Sequence, residues 1–238
     1  MKSRGIQNRI FVKAAVVIGI LAIVSTACEK SVKHADSLNE QVQVTSEEMR
    51  PDDFFSQSLK AFAGKDYKTS AQAIDKAIQS MNVIAGYVPA NQQQDIISSI
   101  RELQELSSKV SADKVEGVDE LNYFFARAGK CLAGLHMHTT ENYYFDLHGK
   151  QAGNELREAL AIIEKNVRYH GRELSEPERS IIKAGRELAV QLEKGKSTKE
   201  ELENYLASLS NELKRLDSEL NVQFEPIASR RQTVVHTK

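Results

Sequence analysis

From Pro51 onward, apolar residues recur at spacings of three and four. Ile74, Ala77, Ile78 and Met81 form one stripe, and Ile96, Ile97, Ile100, Leu103 and Leu106 a second. Leu121, Phe125, Ala128, Leu132 and Leu135 continue the pattern, as do Leu156, Leu160, Ile163 and Val167. Ile181, Gly185, Leu188 and Leu192 follow. Leu202, Leu206, Leu209, Leu213, Leu216 and Leu220 make the longest run. Spacing of this kind puts each set on one face of an amphipathic helix. The prolines at 51, 89, 177 and 226 sit where these stripes start or stop, and strand-like alternation is scarce. The spacing predicts an all-α fold of repeated antiparallel helical hairpins, packed as a bundle or short solenoid. Pro51-Asp52-Asp53 suits a helix start, with proline in the first turn and acids facing the positive end of the helix dipole. Thr198 suits the N-cap of the last helix. Residues 221–238 lack a stripe and read as a frayed tail.

The pattern before Pro51 is different. Lys2, Arg4, Arg9 and Lys13 are the only charges in residues 1–27, and Ala14 to Val24 is uncharged and apolar. A basic start, a short apolar core and small residues before a cut are the marks of an export signal. The apolar part falls short of the ~20 residues that span a bilayer. Residues 28–50 are polar without a stripe and read as a tether.

Ser25-Thr26-Ala27-Cys28 resembles the lipobox of bacterial lipoproteins, in which the cysteine is acylated and becomes the mature N-terminus. Thr26, Ala27 and Cys28 fit that pattern, while Ser25 stands where a leucine is usual. Ser25 and Ala27 also suit ordinary signal-peptide cleavage, which would release a soluble chain. The resemblance implies lipidation at Cys28 and a membrane as one partner. Glu29, which is not aspartate, implies the outer membrane, with the domain facing the periplasm.

Removing residues 1–27 changes the charge. The whole chain has a net charge of −1, and losing four basic residues leaves about −5. That balance excludes nucleic acid as an expected partner. With Cys28 acylated, Cys131 is the remaining thiol and no internal disulfide can form.

The chain also repeats itself. Ser70, Ile74 and Ala77 recur 82 residues later as Ala152, Leu156 and Ala159. The segments 95–103 and 180–188 share Ile-Ile and Arg-Glu-Leu, and an Asn-Tyr pair recurs at 122–123 and 204–205. We read two helical units, 51–132 and 133–220. The small–large–small triplets resemble the second helix of tetratricopeptide repeats, and Tyr143 fits the first helix. His136 and Thr140 depart from that family's aromatic and glycine. The resemblance implies a protein-binding scaffold whose partner is another envelope protein. A generic tight helix pair also calls for small residues at its crossing.

Candidate chemistry is concentrated in one stretch. His136, His138 and His148 lie within thirteen residues, with Glu141 nearby. His136 and His138 point about 200° apart on a helix, so they cannot grip one ion together. His138 and Glu141 share a face. They supply two ligands where a catalytic zinc site has three from the protein. A metal- or haem-binding bundle using His136, His138, Glu141 and His148 is the alternative to the scaffold. Plain capping by a helix-end histidine is the simpler reading, and no cofactor is expected. Cys131 has Ala128, Leu132 and Leu135 on its side and reads as a small buried hydrophobe. The chain has no phosphate loop, nucleophile elbow or zinc-protease motif, so no enzymatic activity is expected.

Overall fold

The computed structural model describes residues 50–225, apart from the side chains at 90–92. These residues form seven helices and no strand. They are α1 (Pro51–Ala63), α2 (Tyr67–Tyr87), α3 (Ala90–Ser111), α4 (Val118–Phe145), α5 (Gly149–Tyr169), α6 (Glu176–Glu193) and α7 (Lys199–Gln223). Each packs on its neighbour in sequence, and the α4–α5 seam is the most extensive. α4 also touches α1 and α7 and so runs through the centre. The all-α hairpin architecture is therefore as the stripes predicted. None of the described helices is long and apolar enough to cross a membrane.

The local chemistry explains the helix boundaries. Pro51 opens α1 with Asp52 and Asp53 in its first turn. Thr198 and Glu201 cap α7 reciprocally, as do Ser175 and Glu178 for α6. Two pairs of turns, each pair 82 residues apart, close in the same way. After α1, Lys65 takes φ 60° and Asp66 N–H donates to the Ala61 carbonyl at 3.0 Å. After α4, Leu147 takes φ 62° and His148 N–H donates to the Tyr143 carbonyl at 2.8 Å. Asp113 after α3 and Gly195 after α6 form the second pair, with Lys114 N–H and Lys196 N–H reaching back to Lys109 and Gln191. All four are Schellman turns, which satisfy carbonyls at the helix end through one left-handed residue.

The stripes bury as one core. Ile74, Ala77, Leu156 and Ala159 are fully enclosed, and Phe55 stacks on Phe125 at 4.6 Å between α1 and α4. Ile97 is an exception, 46% exposed, because it lies beside the inward line of Ile96, Ile100 and Leu103. The boundary expected at residues 132 and 133 falls inside α4, a single helix of 28 residues. The first residues of the tail expected from 221 belong to the helical domain. α7 continues to Gln223, and Phe224 is buried with its ring edge-on to Tyr123. The expected export signal, Cys28, most of the tether and residues 226–238 lie outside the described residues.

α5 and α6 cross where side chains are missing. A Cβ on Gly149 would meet the Leu192 carbonyl oxygen at 2.2 Å, and one on Gly153 would meet that of Ala189 at 2.6 Å. These glycines bring two backbones into contact.

Candidate functional site

A groove of about 520 Å³ lies between α3, α4 and α7. Its floor is α4, through Arg127, Lys130, Cys131, Gly134, Leu135 and His138. One wall comes from Asp95, Ile96, Ser98 and Ser99 of α3, the other from Ser210, Leu213, Lys214 and Asp217 of α7. The volume falls in the range of small-molecule sites. A Cβ on Gly134 would meet nothing within 4 Å, so the floor is open there because a side chain is missing.

The groove is charged but largely neutralised from within. Lys130 Nζ donates to Asp217 Oδ2 at 2.6 Å. Arg127 Nε donates to Glu102 Oε2 at 3.1 Å, and its guanidinium lies 5.7 Å from the Tyr123 ring centre. Burial works against the Arg127 charge, yet Glu102, Tyr123 and Asp217 outweigh it and hold the group firmly protonated. Lys214 on one rim and Asp95 on the other are exposed. Cys131 is half-buried on the floor, and its thiol is pushed up to about 11, chiefly by burial. A hydrogen bond with Ser99 only partly offsets this. A thiol held so far above neutral pH is a poor nucleophile. It is therefore not the enclosed hydrophobe expected, but it is no more reactive for that.

The four expected ligand residues do not converge. His138 lines the groove, with Nδ1 3.9 Å from Glu141 Oε2, as their spacing predicted. His136 faces the α4–α5 seam, where Nδ1 lies 2.6 Å from Glu155 Oε2. His148 occupies the N-cap of α5, its ring edge-on to Tyr143 at 6.2 Å. Among the described residues, no three histidine, cysteine or acidic side chains come together as a metal-binding group. The groove itself was missed in the sequence. Its walls lie more than a hundred residues apart in sequence, so no local pattern joins them.

No protein-family model matches this chain, and neither a curated protein nor a solved structure matches it.

Proposed function

We propose that this chain is an envelope lipoprotein, anchored through Cys28, whose helical domain is a protein-binding module. The groove over α4 seats a segment of the partner. The two units 51–132 and 133–220 are copies of one helical element joined through α4; the paired turns at Lys65 and Leu147, and at Asp113 and Gly195, support this.

The observation that carries the binding role is the groove itself. It joins an open glycine floor on α4 to polar and charged walls from α3 and α7. Half-buried Leu135 offers apolar contact, and Ser98 and Ser210 offer hydrogen bonds. Such a mixture suits a peptide segment, which carries both kinds of surface.

The test is site-specific crosslinking in cells. A photoreactive residue in place of Lys214 is expected to trap one adduct of discrete mass, and one in place of Lys183, exposed on α6, to trap none. Gly134→Leu puts a bulky side chain on the floor, where an added Cβ meets nothing within 4 Å, and should abolish the adduct. Equal trapping at both positions, or an adduct that survives Gly134→Leu, would refute the groove as a docking site. For the anchor, Cys28→Ser should remove acyl labelling and release the chain from membranes; labelling that persists would refute it.

A further inference from the structure

The turn between α4 and α5 exposes an apolar side chain that the turn does not need. Leu147 is 91% exposed and sits at φ 62°, a conformation that favours glycine. The equivalent position of the matching turn, 82 residues earlier, is Lys65. A polar residue therefore serves that geometry equally well. Phe145, one residue inside the helix, is 49% exposed.

A second turn lies beside the first. Tyr144 Oη donates to the Ser197 carbonyl at 3.4 Å, and Lys199 Nζ stands 5.3 Å from the centre of the Phe145 ring. The start of α5 also presses on the end of α6 at Gly149 and Leu192. These contacts put Lys150, Lys194, Lys196 and Lys199, all exposed, at the same end of the domain as Phe145 and Leu147, with Lys199 against the Phe145 ring. Several acids at this end are engaged: Arg157 holds Glu193, Lys199 holds Glu203, and Glu201 caps α7. Lys150, Lys194 and Lys196 form no ion pair within 4 Å among the described residues, and neither do Asp146 and Glu200.

We propose that this end of the domain is a membrane-contact surface, where Leu147 and Phe145 enter an anionic bilayer and the surrounding lysines hold its headgroups. Apolar and aromatic side chains in the interface, ringed by lysine, are the common chemistry of peripheral membrane binding. Lysine stems also lie along apolar surface while their ammonium groups stay in water. Leu147 projects almost wholly into solvent, with half of Phe145 beside it. A fluid, charged surface suits that shape better than a protein partner, which would need about 800 Å² of matching area. The inference rests on neither the groove nor acylation of Cys28.

The chain contains no tryptophan, so one introduced indole reports on its own position. The full chain carrying Leu147→Trp is mixed with vesicles of phosphatidylcholine, with and without phosphatidylglycerol. Its emission should shift to the blue on the anionic vesicles and be quenched by bromine-labelled acyl chains. Quenching should be at least threefold weaker for Lys65→Trp, in the matching turn. Adding Lys194→Glu and Lys196→Glu to Leu147→Trp should weaken the response several-fold. Where circular dichroism shows that Leu147→Trp perturbs the fold, Phe145→Trp reports in its place. An indole at this tip that stays in water, or quenching equal to that at position 65, overturns the proposal. So does a response indifferent to the two lysines. A tip that ignored lipid in this way would be left as a protein contact.

Discussion

The imidazole of His136 meets the carboxylate of Glu155 across the α4–α5 seam, with Nδ1 and Oε2 2.6 Å apart. Both side chains are mostly buried, at 19% and 13% exposure. Burial opposes the charged imidazole, but the hydrogen bond and charge of Glu155 outweigh it and raise the pKa above 6.5. A histidine raised on folding stabilises the protein fully below its unfolded pKa of about 6.5. That contribution is lost as pH rises through the folded value. Thermal unfolding should therefore show His136→Gln losing less stability than the parent from pH 6 upward. His170, lowered by burial and by Arg172, titrates in the opposite sense, so the difference between the two proteins isolates His136. At pH 6, His136→Ala should cost roughly 1.5–3 kcal/mol, the usual worth of a hydrogen bond to a charged group.

Two helical glycines should respond in opposite directions. Gly153→Ala drives a methyl to within 2.6 Å of the Ala189 backbone oxygen, and α5 must separate from α6. We expect a loss of about 1–3 kcal/mol, the typical range for overpacking. Gly134→Ala meets open space and should gain up to about 1 kcal/mol from helix propensity. Denaturant midpoints on the two variants decide it, and shifts of the same sign would contradict the packing described.

Glu178 joins the α5–α6 connection, α6 and α7. Its carboxylate accepts from Arg172 at 2.7 and 2.8 Å and from the Ser175 hydroxyl at 2.7 Å, and it is paired with Arg215. Glu178 itself is 2% exposed. The Arg172 hydrogen bonds outweigh burial and hold its carboxyl far below the usual range. This stability is present above the unfolded glutamate pKa of about 4.3 and fades only in strong acid. Glu178→Gln should cost about 2 kcal/mol at pH 7, discounted because both arginines keep a third or more of their surface in water. The deficit should vanish toward low pH, as urea titrations at pH 2 and pH 7 would reveal.

Cys131 should label slowly. With its thiol near pH 11, its thiolate fraction at pH 7.5 is roughly a hundredfold below that of an ordinary cysteine. In a Cys28→Ser background, iodoacetamide should react at the normal rate only after unfolding. Fast modification of the native protein would show that the groove floor is open to reagents and polarised.

The helices were legible because burial is periodic. Leu156, Leu160, Ile163 and Val167 are all enclosed, and Leu202, Leu209, Leu213, Leu216 and Leu220 bury as their spacing requires. The paired turns were harder to see. Lys65, Asp113 and Leu147 hold left-handed conformations without being glycine, so only Gly195 signalled one in the sequence. Phe224 escaped notice because Asn221-Val-Gln-Phe has no stripe, although the aromatic finds Tyr123 a hundred residues away.

The candidate ligands show the same limit. Composition drew His136, His138 and His148 together, but their helix phases send them to a seam, a groove and a cap. Local reasoning reached one groove residue, His138, through its pairing with Glu141 on one helix face. Asp95, Gly134 and Lys214 become neighbours only once three helices are assembled.

α4 is unbroken from Val118 to Phe145. Twenty-eight helical residues make a rod about 42 Å long. Its middle is the groove floor and its far end carries Phe145. The rod is thus a lever: a tilt of about 5° about one end moves the other by about 4 Å, more than a hydrogen-bond length. A displacement at the groove end is carried along the helix to the turn at Leu147, because nothing between them breaks it.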